Sequence, residues 1–381
     1  MNIVIATDSF KGSLSTIEGG KAIAEGIKRV YKDAKITIRP LADGGEGTVD
    51  SMASENGYLQ TTLAHNPLGK IIECNYAIRP ESNTAIIEMS AAAGITLIDK
   101  EQLNPLNTTT YGVGEIIKDA ILKGCRNFII GIGGSATNDG GVGMLQALGF
   151  EFKDDEDKDV PFGAKGLEKL HKISASNTLP QLKECTFRIA CDVKNPLCEN
   201  DGCSYIYGPQ KGATPKMVED MDKWLKKYAE KTMEINPKAN PETPGSGAAG
   251  GMGYAFLSYL NGSLEPGIDL IIKETKLEDY IKNADIVITG EGRLDGQSHM
   301  GKAPVGVAKL AKKYKKPVIA FSGCVTDDAK ICNQHGIDAF FPIIKGPCSL
   351  TDAMDSKNAY KNMTDKAEQV FRLIYAIKGE D

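Results

Sequence analysis

Short apolar runs rich in valine and isoleucine recur along the chain, and each is followed by glycine or polar residues and then by a helix-like segment. These runs lie at residues 3–6, 128–132, 286–289, 318–321 and 340–344. Runs that are apolar throughout are typical of parallel strands covered on both faces. Strands that alternate with helices predict an α/β fold with a mainly parallel sheet.

The helical segments have recognisable spacing and start signals. In the segment from Ser15 to Tyr31, apolar residues recur at helical intervals, and Glu18 stands three residues after Ser15 as in a capping box. Residues 305–314 and 359–377 are predicted to be helices as well. Residues 235–251 concentrate proline and then glycine, which predicts an irregular connector, either a linker or a binding loop.

Length and charge restrict the function classes. The 381 residues are enough for two to three domains with well-buried cores. Because 45 basic side chains face 50 acidic ones, the net charge of −5 provides no field for binding a nucleic acid or an anionic membrane. Nine cysteines without a C-x-x-C pair indicate reduced thiols, and we expect a cytoplasmic chain. Whether it forms a homo-oligomer stays open.

Glycine is in excess, and most of the excess falls into blocks. The 41 glycines make up about 11% of the chain, against a usual level of about 7%. The blocks are DSFKGS at 8–13, LADGGEGT at 41–48, GIGGSATNDGG at 131–141, PGSGAAGGMG at 244–253 and TGEGRLDGQS at 289–298. Glycine lets backbone amides approach an anion without a Cβ, and open α/β sheets bind ligands where strands end. Glycine combined with acidic residues suits a phosphate bridged by Mg²⁺.

Two familiar nucleotide-binding motifs match only in part. Gly131-x-Gly133-x-x-Ala136 follows a predicted strand as a dinucleotide fingerprint does, but its loop continues instead of entering a helix at once. A second match, from Gly296 to Lys302, resembles a Walker A loop, but Ala303 stands where Ser or Thr would hold Mg²⁺. We reject this standard P-loop and keep Lys302 as a candidate phosphate contact. The first match leaves an NAD-dependent oxidoreductase as an alternative, and a non-catalytic nucleotide-binding protein is another.

Phosphoryl transfer needs carboxylates for Mg²⁺, donors for phosphate oxygens and a base for the attacking hydroxyl. The glycine blocks and their surroundings supply all three types. The carboxylates are Asp8, Asp43, Glu46, Asp139, Asp192, Glu291 and Asp295, and the cations are Lys11, Lys211, Arg293 and Lys302. The sequence contains neither a G-x-S-x-G elbow nor an H-E-x-x-H motif, so hydrolytic chemistry is less well supported.

Taken together and in this order, the blocks resemble the type I glycerate kinase family. The matching segments are DSFKGS, LADGGEGT, GGSATNDGG at 133–141, CDVKNPL at 191–197, GPQKGA at 208–213, GSGAAGG at 245–251 and TGEGRLD at 289–295. The resemblance implies phosphorylation of D-glycerate by ATP with Mg²⁺, giving 2-phosphoglycerate or 3-phosphoglycerate. It also implies two α/β domains. Residues 1–66 and 287–381 would form a flavodoxin/Rossmann-like parallel-sheet domain from both chain ends, and residues 67–286 a second domain inserted in the middle, with the active site in the cleft between them.

The resemblance also suggests roles for individual residues. Asp192 is the first choice for the catalytic base and Asp43 the second, with Lys11 as a further catalytic candidate. Expected substrate-binding residues are Asp8, Ser9, Lys11, Glu46 and Arg293. Expected nucleotide- or phosphate-binding residues are Gly133, Gly134, Ser135, Thr137, Asn138, Gly140, Gly141, Lys211, Gly247, Gly250 and Lys302. Asp139, Glu291 and Asp295 are the candidates for organising Mg²⁺.

Overall fold

The computed structural model describes residues 1–41, 47–53, 57–298 and 302–379. These residues divide into two units. The described part of the first unit comprises residues 1–41, 50–52, 268–298 and 302–379, and that of the second comprises residues 47–49, 53 and 57–267. The first unit is therefore built from both ends of the chain, and the second is inserted into it.

The strands of the described residues are β1 (Asn2–Thr7), β2 (Lys35–Ile38), β3 (Tyr58–His65), β4 (Ile71–Arg79), β5 (Thr84–Glu88), β6 (Asn127–Gly131), β7 (Glu151–Lys153), β8 (Lys172–Ser174), β9 (Thr186–Ala190), β10 (Ser263–Glu265), β11 (Ile286–Leu294), β12 (Val318–Val325) and β13 (Ala339–Pro342). Their α-helices are α1 (Thr16–Lys28), α2 (Thr48–Ala53), α3 (Ser90–Ala93), α4 (Tyr111–Leu122), α5 (Val142–Ala147), α6 (Cys203–Tyr207), α7 (Pro215–Ile235), α8 (Ala248–Tyr259), α9 (Gly267–Glu274), α10 (Leu277–Lys282), α11 (Ala303–Lys313), α12 (Ile331–Gln334), α13 (Leu350–Met354) and α14 (Ser356–Lys378).

The first unit contains a parallel sheet with the strand order β13-β12-β11-β1-β2. When these five strands are numbered by their order in the chain and read from the β2 edge, the sheet has the order 2-1-3-4-5, which is the flavodoxin-like arrangement. Inward-facing apolar residues such as Ile5, Ile288 and Phe321 form its core with α1 and α14. Helix α1 starts with the predicted capping box, in which Ser15 and Glu18 exchange hydrogen bonds.

The second unit contains a sheet with the order β10-β9-β6-β5-β4-β3. Strands β5, β6, β9 and β10 run parallel, whereas β3 and β4 add an antiparallel edge. Helix α4 connects β5 to β6 and buries Val113, Ile116 and Ile117 in the core of this unit. A separate antiparallel pair, β7 and β8, flanks the charged segment after residue 153.

These findings confirm the predicted fold class of two α/β domains, with a flavodoxin-like domain from both chain ends. The limits of the two units differ from the expected boundaries at residues 66 and 286. Strand β3 pairs with β4, which ties residues 58–65 to the inserted sheet, while residues 268–286 group with the first unit. Among the described residues, no helix has the length and apolarity needed to cross a membrane. The predicted cleft between the domains stays a prediction.

Candidate functional site

In the first unit, β1 and β11 are neighbours in the sheet. The next strand of the unit after β1 is β2, on one side of this pair, and the next strand after β11 is β12, on the other side. The strand order therefore reverses between β1 and β11. Ligands of flavodoxin-like sheets bind outside the carboxyl ends of the strands at such a point. Thr7, the last residue of β1, is in register with Gly290, and β11 continues beyond this level to Leu294. The Asp8 amide donates a hydrogen bond of 2.8 Å to the Gly290 carbonyl, which places the Asp8 and Glu291 segments side by side.

The predicted substrate-binding residues after β1 lie at this edge. The buried carboxylate of Asp8 accepts a 2.6 Å hydrogen bond from the Ser9 amide. Among the described residues, the buried Ser9 hydroxyl finds no hydrogen-bond partner. The Lys11 side chain is exposed. A Cβ added to Gly292 would lie 3.4 Å from the Lys11 amide nitrogen, so the two segments pack closely.

The carboxylates of Glu291, near the end of β11, and Asp295, directly after β11, are linked by a hydroxyl. Ser298 Oγ donates a 2.6 Å hydrogen bond to Glu291 Oε1 and lies 3.5 Å from Asp295 Oδ1. Asp295 also lies 3.6 Å from Arg293 Nε and 3.7 Å from Lys302 Nζ. The described ranges contain no cluster of three or more His, Cys, Asp or Glu side chains that could hold a metal ion. Two neighbouring carboxylates nevertheless fit Mg²⁺, which takes one or two of them together with water and phosphate oxygens.

In the second unit, three loops leave one edge of the sheet. Glu88 of β5, Gly131 of β6 and Ala190 of β9 occupy the same level in the register of these parallel strands. The segments that follow them therefore start next to one another. Asp192 is in the third segment, two residues after Ala190, and its side chain is exposed. Its Oδ1 accepts a 2.8 Å hydrogen bond from the Gly267 amide, which orients the carboxylate.

The segment after β6, residues 132–141, is called the glycine loop below. Gly133 and Gly134 are exposed, whereas residues 135–141 are buried. Gly134 has a φ of 73°, in the left-handed region that favours glycine. The exposed part of the loop is therefore backbone, and Ser135, Thr137 and Asn138 are packed beneath it. Their predicted direct contacts with phosphate stay predictions, although the buried Oγ1 of Thr137 has no hydrogen-bond partner in the described structure.

Asp139 holds the glycine loop to the start of α4. Its Oδ2 accepts bonds from the Thr110 amide at 2.9 Å, the Thr110 hydroxyl at 2.8 Å and the Gly143 amide at 3.3 Å, and its Oδ1 accepts one from Gly141 at 3.1 Å. Burial raises the pKa of Asp139, and these donors oppose that increase. The predicted role of Asp139 as a Mg²⁺ ligand stays a prediction, and it would compete with these four hydrogen bonds.

Lys211 reaches the same loop from the segment before α7. Its side chain is buried, and Nζ donates to Ser135 Oγ at 2.7 Å and to the Thr137 carbonyl at 2.6 Å. Desolvation by burial lowers the pKa of Lys211 to about 8. The ammonium group therefore contacts the glycine loop from its buried side.

The glycine block at residues 244–253 packs against the glycine loop. The Gly140 amide donates a 2.9 Å hydrogen bond to the Gly250 carbonyl. Gly250 has a φ of 69°, and a Cβ at this position would lie only 2.1 Å from the Thr137 carbonyl oxygen. The Gly247 amide bonds to the Asn195 carbonyl in the Asp192 segment. Gly247 and Gly250 thus join two of the loops, and their direct contact with a nucleotide stays a prediction.

The structure therefore gathers the predicted residues into one group in each unit. The first unit holds Asp8, Ser9, Lys11, Glu291, Arg293, Asp295 and Lys302, and the second holds Asp192, Lys211, Gly247, Gly250 and the glycine loop with Gly140 and Gly141. Asp43 and Glu46, predicted as a base and a substrate-binding residue, lie outside the described residues.

Two contributors were not predicted from the sequence. Thr110 ends a run of three threonines before α4 and supplies two of the donors to Asp139. Ser298 lies inside a glycine block and joins Glu291 to Asp295. A hydroxyl residue directly before a helix, or three residues after an aspartate, is the available signal, but it does not identify the distant partner.

Comparisons with known proteins show what the whole chain is similar to. The family model of the glycerate kinase family matches residues 3–375. A glycerate kinase from Haemophilus influenzae is 47% identical over 98% of this chain and 99% of its own length. A glycerate 2-kinase from Escherichia coli is 45% identical over 95% of both chains. A crystal structure named for glycerate kinase 2 from Salmonella typhimurium LT2 superposes with a TM-score of 0.90 at 42% identity, covering 100% of this chain and 99% of the other.

Proposed function

The chain belongs to the glycerate kinase family, and from that premise we propose that it transfers the γ-phosphoryl group of ATP to the 2-hydroxyl of D-glycerate with Mg²⁺. The product would be 2-phosphoglycerate. The position of transfer is supported by the Escherichia coli relative, which is named a glycerate 2-kinase and is 45% identical. Transfer to the 3-hydroxyl, which would give 3-phosphoglycerate, is the alternative.

The exposed backbone of Gly133 and Gly134, just after the buried strand β6, is the main support for ATP binding. Without side chains, both amides can approach phosphate oxygens closely. The buried remainder of the glycine loop holds this backbone through Asp139 and Gly250. We assign the ATP phosphates to this stretch of backbone.

Asp192 is the proposed base. Its carboxylate would accept the proton of the 2-hydroxyl while that oxygen forms a bond to the γ-phosphorus and the bond to the β–γ bridging oxygen breaks, leaving ADP. The side chain is exposed at the end of β9, and the Gly267 amide fixes one of its oxygens. Asp43 remains the second choice.

The charged side chains of the first unit would bind Mg²⁺ and the anionic groups of the substrates. Glu291 and Asp295 would hold Mg²⁺ directly or through water, since their oxygens are the ligand type that Mg²⁺ prefers. The ion, when bound, would neutralise charge on the phosphate oxygens. Arg293 is an exposed cation beside Asp295, and Lys11 is an exposed cation in the segment packed against Gly292. Both would bind the glycerate carboxylate or the γ-phosphate, with Asp8, Ser9 and Glu46 as further substrate contacts. Lys302 would contact a phosphate group. Cytoplasmic location and any homo-oligomer stay predictions.

The proposal is tested by incubating the purified chain with ATP, Mg²⁺ and D-glycerate and measuring ADP. We expect ADP only when all three are present, with loss of the reaction on adding EDTA. ATP binding without ADP formation would instead indicate a non-catalytic nucleotide-binding protein. A fluorescence titration with NADH tests the oxidoreductase alternative, for which binding would be required.

A further inference from the structure

Lys211 is buried with 1% of its surface exposed, and both of its hydrogen-bond acceptors belong to the glycine loop. It ends the short turn Pro209–Lys211, and Gly212, with a φ of 92°, turns the chain towards α7. Its position beneath the loop separates it from solvent. A lysine that binds phosphate directly needs its ammonium group at the surface of the site, and Lys211 does not meet that condition.

We propose that Lys211 is a positioning residue for the ATP phosphates, which acts by fixing the glycine loop instead of touching the phosphates. Its ammonium group ties the Ser135 hydroxyl to the Thr137 carbonyl, directly behind Gly133 and Gly134. These contacts set the direction in which the exposed Gly133 and Gly134 amides point. The inference rests on the proposed function, because it deepens the role assigned to the same loop.

Other contacts complete the support around Lys211. Thr108 Oγ1 donates to the Ala136 carbonyl at 2.8 Å, and Thr110 holds Asp139. The loop is thereby fixed at residues 135–139, while Gly133 and Gly134 stay exposed. Lys211 supplies two of these contacts with a single group, and the buried carboxylate of Asp139 attracts its charge.

Burying an ammonium group is unfavourable unless hydrogen bonds and an opposite charge compensate it. An apolar side chain of similar length would fill the same space without that desolvation cost. Because the buried ammonium group does not reach the surface of the loop, the benefit that remains is the ordering of residues 135–137.

The test compares Lys211→Met with Lys216→Met, which removes an exposed lysine five residues further on that pairs with Asp220. Met keeps the length of the side chain and removes the charge and both hydrogen bonds. We expect the KM for ATP to rise about 10- to 100-fold in Lys211→Met, because hydrogen bonds to charged groups are of that strength. The KM for D-glycerate should change less than about threefold, and Lys216→Met should match the wild type in both constants.

A second measurement is independent of activity. Amide hydrogen exchange of residues 133–139 in the ligand-free protein should be faster in Lys211→Met, with the exchange of the β6 core unchanged. If the wild-type chain produced no ADP from ATP and D-glycerate, the proposed function would fail, while the exchange experiment would still test the effect of Lys211 on the loop.

Ser135→Ala keeps Lys211 and removes one of its two hydrogen-bond acceptors. This variant therefore tests the proposal if Lys211→Met does not fold. It should raise the KM for ATP and speed exchange in the same segment, and its effect should shrink in the Lys211→Met background. Unchanged exchange and an unchanged KM for ATP in these variants would overturn the proposal. An equal rise in the KM values for ATP and D-glycerate would do so as well, since it would indicate a general structural defect.

Discussion

Two aspartates near the ends of neighbouring strands have opposite environments. Asp192 is exposed two residues after β9, whereas Asp139 is buried and accepts four hydrogen bonds from Thr110, Gly141 and Gly143. A carboxylate in solvent contact can reach a substrate hydroxyl, but a buried one that already accepts four hydrogen bonds holds together the segments that donate them. This difference in environment favours Asp192 over Asp139 for proton transfer.

Replacing Asp192 by Asn should lower kcat by a factor of about 10² to 10⁴, because the amide cannot accept the hydroxyl proton. Asp201→Asn, which neutralises another exposed aspartate in the segment after β9, is the matched control and should retain wild-type kcat. Steady-state kinetics with saturating ATP and D-glycerate measure both. Near wild-type turnover in a folded Asp192→Asn protein would exclude the role.

Gly134 offers a second test at the scale of one residue, with Gly124 as its control. Both have a positive φ, 73° and 94°, and a Cβ at either position meets no atom closer than 3.7 Å. Alanine should therefore reduce the free energy of unfolding by a similar amount at each, about 1 kcal/mol. Only Gly134→Ala should raise the KM for ATP. An equal KM in both variants would contradict the assignment of the loop to phosphate binding.

At the scale of elements, buried parallel strands were predictable because their apolar runs are continuous. The predicted strands at 3–6 and 286–289 lie within β1 and β11, and that at 128–132 overlaps β6. Strands β3 and β4 were missed because each exposes one face and mixes polar with apolar residues. Helix α7 was missed because its charged sequence buries only a narrow stripe.

The loops of the candidate site were predictable for the same reason as the strands, since glycine and polar residues follow the apolar runs directly. The contacts that fix these loops were not. Lys211 bonds to Ser135, and Thr110 bonds to Asp139, across separations that carry no local pattern in the sequence. Such pairs depend on the whole sheet being formed, so the sequence indicates the loop residues but not the hydrogen bonds between them.

Helices α1 and α14 are joined by ion pairs that predict a pH effect. Hydrogen bonds from Lys345 and Lys361 hold the pKa of Asp365 well below its usual range, and Arg29 lies 3.3 Å from the same carboxylate. Because the folded-state pKa is lowered, this stabilisation is present above the unfolded-state pKa of about 3.9 and is lost as the pH falls below it.

Asp365→Asn should therefore lose less stability than the wild type when the pH falls from about 5 to about 2. The difference should stay below about 1 kcal/mol, because the pairs are partly exposed and screened by solvent. Urea unfolding of both proteins at each pH measures it. Identical losses in the two proteins would show that the ion pairs do not contribute.

At the scale of the whole molecule, the net charge of −5 means that no general positive field attracts ATP or glycerate. Local groups have to bind these anions instead. The proposed groups are exposed Lys11 and Arg293 in the flavodoxin-like unit and the exposed Gly133–Gly134 backbone in the inserted unit. In this proposal, the glycine blocks allow the backbone to approach phosphate oxygens closely.

A coupled assay distinguishes phosphorylation of the 2-hydroxyl of D-glycerate from phosphorylation of the 3-hydroxyl. The purified chain is incubated with ATP, Mg²⁺ and D-glycerate, and the product is passed to enolase in the absence of phosphoglycerate mutase. Enolase accepts 2-phosphoglycerate only. We expect phosphoenolpyruvate to form in proportion to ADP. ADP formation without phosphoenolpyruvate would contradict transfer to the 2-hydroxyl, and the absence of ADP would contradict the kinase activity itself.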